Sequence, residues 1–276
     1  MSPNSDFHVH PDYSIDAAGT VRQYCDRALE IGFGNICFTT HYDANARRAH
    51  SDGFWRYKGE RVRFDDQLVG RYVDEVARAR DFFAEHGLRV FCGLEIDYFP
   101  GVETEAERIR KKFEFDFIIG SVHCLDNIAI SDKNEAPSYF LEHSVARMAD
   151  EYFELLRQAA QVDQFDSLGH LDYYIRYGRP FYGLELDSIE IERFDPIFEI
   201  LKKNGRGFEI NTSQFRFDKK KFHPARKIIE RAAEAGVPIS SVGSDSHRPE
   251  TLGMGIREAS ELLEKLRIEP LFPKIR

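Results

Sequence analysis

Histidine and carboxylate side chains recur in close pairs near both ends of this chain. His8 and His10 lie two residues apart in DFHVHPDYSID, and Asp16 follows them shortly. A second pair, Asp245 and His247, occurs in SVGSDSH near the C-terminus. On a strand, an i, i+2 pair points to one face. Imidazole and carboxylate groups are common metal ligands, so both pairs are candidate parts of a metal site.

Four more residues of the same kinds stand near the ends of other apolar segments: His41, Glu95, His123 and His170. Taken singly, each gives weak support, because a histidine at a strand end more often bonds to backbone than to a metal. Nine such residues together favour a metal cluster. A single zinc ion needs about three or four protein ligands. Nine ligands, one of them bridging, therefore suit two or three divalent ions, with zinc, manganese and iron as candidates.

The elements that must position these residues are strand-length apolar segments that alternate with helix-length amphipathic ones. Strands are predicted in FHVH, NICFTTHYD, RVFCGLEIDY, FDFIIGSVH, FDSLGHLD, GFEINTS and PISSVGSDSH. Several lack a polar face, which is typical of strands buried on both sides. Helices are predicted over residues 21–33, 65–86, 103–113, 139–162, 189–204, 224–235 and 249–266. Thr20 is the predicted N-cap of the first helix.

Seven strands that are each followed by a helix imply a parallel sheet with right-handed crossovers. A closed barrel and an open doubly wound sheet both fit this pattern. In a barrel, the strand ends that carry the candidate ligands converge on one rim. No G-x-G-x-x-G follows the first strand, so a dinucleotide fold has no support. One domain over residues 1–276 is the simplest interpretation, with longer loops at 44–63 and 125–138 as candidate lids.

The composition of the chain argues against several classes of function. The chain is 42% hydrophobic and 31% charged, with a formal net charge of −9. Nucleic-acid binding depends on Lys and Arg contacts, so no nucleic-acid partner is expected. No apolar run approaches the ~20 residues that span a bilayer, and no signal peptide is visible, so a cytoplasmic protein without a membrane partner is expected. The four cysteines form no C-x-x-C pair and are predicted to be buried free thiols.

In these motifs the chain resembles the polymerase and histidinol phosphatase (PHP) family of metal-dependent phosphoesterases. The matching segments occur in the family's order over nearly the whole chain: DFHVHPDYSID, FTTHYD, GLEIDY, IIGSVH, GHLDYYIRYG, FEINTS and GSDSH. The length, the long segment between His41 and Glu95, and the run GSVHCLDN are most similar to monofunctional histidinol-phosphatases. The resemblance implies a distorted, TIM-like (β/α)7 barrel with a trinuclear site at the C-terminal ends of its strands. It also implies hydrolysis of L-histidinol phosphate to L-histidinol and phosphate in histidine biosynthesis.

The resemblance further implies a role for each candidate residue. Arg176 and Arg216 match positions that would hold the phosphate, and guanidinium groups bind phosphate oxygens bidentately. Arg179 is a weaker candidate, and Asn211 either contacts the substrate or supports the ligands. Many relatives carry a histidine where Asp16 stands, which leaves the identity of the metal open. The implied ligands form three groups: His8, His10 and Asp245; Asp16, His41 and His247; and His123 and His170 with a bridging Glu95.

Metal ions would lower the pKa of bound water toward neutrality, and a hydroxide that bridges two of them is expected to attack phosphorus in line. Asp245 or His247 is expected to shuttle a proton to the leaving alkoxide. Long aromatic loops that include Trp55 are expected to close over a small imidazole-bearing substrate. Asp43 or Asp126 could attract its amine.

Three alternatives share parts of this pattern. A PHP-type phosphodiesterase or nuclease, or a phosphatase for another small phosphate ester, would use the same metals. An amidohydrolase also starts its site with H-x-H, but the strand ends here carry no bridging lysine. A metal-stabilised domain that only binds a partner would not need so complete a ligand set. The oligomeric state stays open, and the remaining histidines are predicted to be surface or loop residues: His50, His86, His143 and His223.

Overall fold

Seven strands form the central sheet of the computed structural model, which describes residues 4–217 and 219–271. They are β1 (Ser5–Val9), β2 (Asn35–Tyr42), β5 (Arg89–Asp97), β6 (Phe117–Ser121), β9 (Ser167–Leu168), β10 (Gly207–Asn211) and β11 (Ile239–Gly243). Neighbours in the sheet follow chain order, and every neighbouring pair is parallel. All seven strands therefore direct their carboxyl ends to the same side of the molecule.

The first and last strands close the sheet into a barrel. Val9 forms a parallel bridge with Ser246, and the His10 amide donates to the Ser246 carbonyl at 2.8 Å. The buried carboxylate of Asp6 accepts from the backbone N–H groups of Ser244 at 2.9 Å and Gly253 at 3.1 Å. The distorted seven-stranded barrel is confirmed, and the open sheet is excluded. The prediction of one domain over 1–276 includes residues 1–3, 218 and 272–276, which lie outside the described residues, and it stays a prediction.

Amphipathic helices cover the outside of the barrel. They are α1 (Val21–Glu30), α2 (Asp66–Ala84), α3 (Val102–Lys112), α4 (Ala136–Phe140), α5 (Val145–Ala159), α6 (Tyr174–Tyr182), α7 (Asp195–Lys203), α8 (Arg226–Ala235) and α9 (Ile256–Leu266). Thr20 caps α1 as predicted: its hydroxyl accepts from the Gln23 amide at 3.2 Å, and the Gln23 side chain accepts from the Thr20 amide at 2.8 Å. No helix within the described ranges is long and apolar enough to cross a membrane.

The structure corrects three helix predictions. In the one over 249–266, Pro249–Thr251 form a separate 3-10 turn and α9 begins only at Ile256. The predicted helix over 139–162 is divided, because the Ser144 hydroxyl accepts from the Arg147 amide at 3.3 Å and so starts α5 anew. Helix α6 was not predicted, since Gly178 and Pro180 weaken the helical signal of this segment. Two 3-10 turns, Gly183–Ser188 and Ile191–Phe194, precede α7, so its predicted start at residue 189 is also too early.

The predicted long loops contain two short antiparallel hairpins. In the first, β3 (Phe54–Tyr57) pairs with β4 (Glu60–Arg63). In the second, β7 (Cys124–Leu125) pairs with β8 (Ile128–Ala129). These hairpins lie beyond the carboxyl ends of β2 and β6, so they give the rim of the barrel ordered walls.

The barrel interior is apolar at its base and polar at its rim. A small cluster of buried residues fills the base: Phe7, Cys37, Phe91, Phe117 and Ile119. Strand alternation carries the same interior face upward from Cys37 to His41 and from Phe91 to Glu95. All four cysteines are buried and free, as predicted. The apolar floor therefore supports a layer of ionisable residues directly above it.

Candidate metal centre

Strand register places the candidate ligands at one rim. His41 in β2 and Glu95 in β5 are direct register partners, and Glu95 is paired in turn with Ile119 of β6. His10 follows β1 by one residue, while His123, His170 and Asp245 each follow their strands by two residues. Because parallel strands end on the same side of the barrel, these separate segments meet above the same floor.

The Glu95 carboxylate lies at the centre of the site and is 1% exposed. Five imidazole nitrogens surround its two oxygens. Oε2 is 2.9 Å from His41 Nδ1, 3.4 Å from His8 Nε2 and 3.6 Å from His10 Nε2, and Oε1 is 3.1 Å from His170 Nε2 and 3.5 Å from His123 Nε2. Ser121, two positions beyond Ile119, donates its hydroxyl to Oε1 at 2.6 Å and fixes the carboxylate.

Three overlapping groups of ligand atoms result, and within each group all atoms lie within 4.8 Å of one another. The groups are His8, His10 and Glu95; His10, His41 and His247; and Glu95, His123 and His170. Two further carboxylates flank them. Asp245 Oδ1 is 3.4 Å from His10 Nε2, and Asp16 Oδ2 is 3.1 Å from His247 Nε2. The structure thus brings all nine predicted ligands together, and their roles as ligands stay a prediction.

The donor atoms fit divalent cations. The Nε2 atoms of His8 and His10 are buried and have no hydrogen-bond partner. Buried polar groups are normally hydrogen-bonded, so two such nitrogens that face a carboxylate need a partner. A cation between them and Glu95 would satisfy all three groups. Mixed imidazole and carboxylate ligands suit zinc, iron or manganese.

The electrostatics of the site favour ionised carboxylates but act differently on the histidines. Burial raises the pKa of Glu95, but the charges of His8 and His123 outweigh it and hold this pKa well below its usual value. The pKa of Asp245 is also well below its usual value, since His8 and His10 outweigh the effect of burial. Burial and the neighbouring His41 lower the pKa of His10 well below its usual value. Ionised carboxylates and a neutral imidazole are the forms that bind metals.

Burial lowers the pKa of His8, but Glu209 and Glu95 outweigh it and raise this pKa well above its usual value, and Glu95 likewise raises the pKa of His41 to about 10. These two rings would each release a proton on binding a metal.

A cavity of about 580 Å³ opens above the ligands. Arg176 and Arg216 line it, as does Asp43. Arg216 donates to the Asp245 carbonyl, and Arg176 donates to the Tyr173 hydroxyl, so both guanidinium groups are held beside the ligands. The cavity therefore has both cationic groups and carboxylates in its lining, next to the ligand cluster.

Several expectations about neighbouring residues need correction. Trp55 does not close over the cavity, because its ring is 1% exposed and its Nε1 donates to the His41 carbonyl below the rim. Asp126 lies in a separate cleft, next to Glu151, and only Asp43 of the two predicted carboxylates lines the main cavity. Arg179 is paired with Asp187 away from the cavity.

His223 was predicted to be a surface or loop residue, and that prediction is wrong. The ring is 4% exposed, and Nδ1 lies 2.6 Å from Asp172 Oδ1. Its backbone pairs with Asn211, the last residue of β10, which draws the segment into the rim. Asn211 supports the ligands: its Nδ2 donates to Glu209 Oε1 at 3.1 Å and to Asp245 Oδ2 at 3.3 Å.

Sequence reasoning missed Glu209. This carboxylate is fully buried, and its Oε2 lies 2.8 Å from His8 Nδ1. A signal was present, because Glu209 and Asn211 are two polar residues in alternate positions of an otherwise apolar strand. Alternate positions share one face, and here that face is the barrel interior.

A parallel barrel whose rim gathers histidines and carboxylates is the setting of a metal-dependent hydrolase. A family comparison agrees: residues 6–213 match the model of the PHP domain, and the chain belongs to this family.

The names of individual relatives specify an activity. A probable histidinol-phosphatase of Deinococcus radiodurans is 30% identical over 94% of this chain and 92% of its own length. The histidinol-phosphatase of Lactococcus lactis is 26% identical over 94% of this chain and 90% of its own length. A crystal structure of histidinol phosphate phosphatase from L. lactis, complexed with zinc, L-histidinol and phosphate, matches with a TM-score of 0.77. It is 23% identical, and the match covers 97% of this chain and 95% of that chain. This likeness supports the barrel fold.

Proposed function

We propose that this chain is a histidinol-phosphatase, a metal-dependent phosphoric monoester hydrolase that converts L-histidinol phosphate to L-histidinol and phosphate. One observation carries the proposal: nine ligand-type residues from separate segments converge beneath a cavity with two arginines. Family membership and the names of the curated relatives point to the same reaction. A role in histidine biosynthesis in the cytoplasm follows from this activity.

The metal ligands in this proposal are the nine residues at the rim: His8, His10, Asp16, His41, Glu95, His123, His170, Asp245 and His247. Two or three divalent ions of zinc, manganese or iron would occupy the three overlapping groups, with Glu95 shared between groups. When bound, such ions supply hydroxide at neutral pH and offset the negative charge of the phosphoryl oxygens. The orphaned nitrogens of His8 and His10 support this assignment.

The phosphate is proposed to bind between the ligand cluster and the guanidinium groups of Arg176 and Arg216. A phosphate monoester is a dianion, and charge-assisted hydrogen bonds from guanidinium hold such groups in a fixed orientation. Arg216 is tethered to the Asp245 backbone, and so its position is coupled to that of a ligand. Both arginines thus orient the phosphorus toward the rim.

Proton transfer to the leaving alkoxide is assigned to Asp245 and His247. His247 Nδ1 lies 2.9 Å from the Asp245 carbonyl and 3.4 Å from its Oδ1. Both side chains line the cavity. Because the pKa of Asp245 is well below its usual value, this carboxylate would first accept a proton from the attacking water and then pass it on, directly or through His247, to the departing alkoxide.

A small, cationic leaving group fits the rest of the cavity. The volume of about 580 Å³ suits a small molecule rather than a polymer. The Asp43 carboxylate also lines the cavity and is proposed to attract the substrate's amine. The net charge of −9 opposes the binding of a long polyanion such as nucleic acid.

A phosphate-release assay on protein loaded with zinc or manganese tests the proposal. We expect rapid hydrolysis of L-histidinol phosphate and much slower hydrolysis of bis-p-nitrophenyl phosphate. Preference for the diester would replace the proposal with a phosphodiesterase. Inactivity on every ester, with full metal content by elemental analysis, would favour a domain that only binds a partner.

A further inference from the structure

The Glu209 carboxylate connects three segments of the rim. Its Oε2 lies 2.8 Å from His8 Nδ1, and its Oε1 accepts from the His170 amide at 3.0 Å and from Asn211 Nδ2 at 3.1 Å. All three partners are donors, and the carboxylate is completely buried. A buried carboxylate accepts only, so the proton between Glu209 and His8 belongs on His8 Nδ1.

This contact determines which nitrogen of His8 is free. With Nδ1 held as a donor to Glu209, Nε2 is the nitrogen left for a metal, and it faces Glu95 at 3.4 Å without a hydrogen-bond partner. Histidines that bind metals commonly donate their second N–H to a carboxylate, which fixes both tautomer and ring orientation. The His8 and Glu209 pair has this arrangement.

The same carboxylate also reaches the other parts of the site. It holds the backbone of His170, whose ring belongs to the group with His123. Through Asn211 it supports Asp245, since Asn211 Nδ2 donates to both carboxylates. The backbone of Gly169, next to His170, packs closely against these side chains. A Cβ added at Gly169 would lie 2.3 Å from Ser121 Oγ and 3.5 Å from Glu209 Oε1.

We propose that Glu209 is a positioning residue that holds His8 in the tautomer able to bind a metal and aligns His170 and Asp245 with it. This inference rests on the proposed metal centre. Glu209 contacts His8 through Nδ1, the ring nitrogen other than the proposed ligand atom, and does not line the cavity, so it acts through His8, His170 and Asn211.

Replacement by glutamine tests this role. Glu209→Gln keeps the size of the side chain but offers one accepting oxygen to three donors. If that oxygen stays with the His170 amide and Asn211, the new NH₂ group faces His8 Nδ1. His8 must then accept at Nδ1 and carry its proton on Nε2, which blocks the metal. We expect Zn²⁺ affinity, measured by competition with a chromophoric chelator, to fall about 10- to 100-fold.

Asp172→Asn is the matched control. Asp172 is also buried and accepts from a histidine, His223 Nδ1, at 2.6 Å, and from the Ala225 amide at 2.7 Å. His223 belongs to none of the ligand groups. We expect this variant to lose thermal stability in the metal-free state, as Glu209→Gln does, yet to keep Zn²⁺ affinity within about twofold of wild type.

Two results would overturn the inference. One is wild-type Zn²⁺ affinity in folded Glu209→Gln protein, and the other is an equal loss of affinity in Asp172→Asn. If Glu209→Gln does not fold, ¹⁵N NMR of the histidine rings in the wild-type Zn²⁺ complex tests the proposal instead. The proposal requires a proton on His8 Nδ1, and a proton on Nε2 would contradict it. A wild-type protein that binds no Zn²⁺ would instead refute the proposed metal centre.

Discussion

Asp6 is the residue on which closure of the barrel depends most clearly. Its carboxylate accepts from the Ser244 amide at 2.9 Å, the Gly253 amide at 3.1 Å and, more weakly, the His8 amide at 3.3 Å. The Ser244 hydroxyl donates to it as well. One side chain of β1 thus satisfies donors from the residue directly after β11 and from the turn before α9. We expect Asp6→Ala to open this junction.

The size of the effect comes from the donors that the substitution leaves unpaired. Burial raises the pKa of Asp6 even though its hydrogen bonds with Ser244, His8 and Gly253 lower it, so the negative charge itself contributes little net stability. The loss then comes from the Ser244 and Gly253 amides, and a buried unpaired donor costs ~1–3 kcal/mol. We expect a loss of about 2–4 kcal/mol in the free energy of unfolding, or roughly 5 °C in melting temperature for a chain of this length.

The assay is urea unfolding of protein freed of metal by a chelator, because bound metal would stabilise the folded state by mass action. Ser244→Ala is the control: it removes only the hydroxyl donor and should cost about 1 kcal/mol. Asp6→Asn should fall between the two, since its amide oxygen still accepts from the Ser244 amide. An Asp6→Ala protein within 1 kcal/mol of wild type would show that apolar packing alone closes the barrel, and would refute this reasoning.

Four further predictions concern the site. Removal of metal by a chelator should abolish phosphate release, and added zinc or manganese should restore it; activity that survives full removal would contradict a metal mechanism. Glu95→Ala should lose bound metal, by elemental analysis, together with activity, whereas retention of every ion would exclude a bridging Glu95. Arg216→Ala should keep its metal but raise KM for the phosphate ester about 10- to 100-fold, because a hydrogen bond to a charged group contributes about 1.5–3 kcal/mol; an unchanged KM would place the phosphate elsewhere. Arg48 is 5% exposed and pairs with the partly exposed carboxylates of Asp52 and Glu135 in the two hairpin loops, so Arg48→Met should cost about 1–3 kcal/mol in urea unfolding, and a loss below ~0.5 kcal/mol would mean that the loops hold together without it.

The amino-acid sequence by itself determined the order of strands and the identity of the candidate ligands. Apolar runs such as those before His41 and His123 identify buried parallel strands without any structure. In a parallel barrel, a residue at the carboxyl end of a strand has one rim available to it. For this reason, nine residues could be predicted to converge although Asp16 and His247 are far apart in the chain.

Tertiary structure decided what surrounds those ligands. Nothing local to Glu209 shows that its partners are His8 and His170, because these contacts join strands that are distant in the sequence. Likewise, His223 becomes buried because its segment pairs with Asn211 at the end of β10. Hydrogen-bond partners depend on sub-ångström geometry set by the packing of the whole barrel, whereas ligand identity depends on residue type and strand position alone.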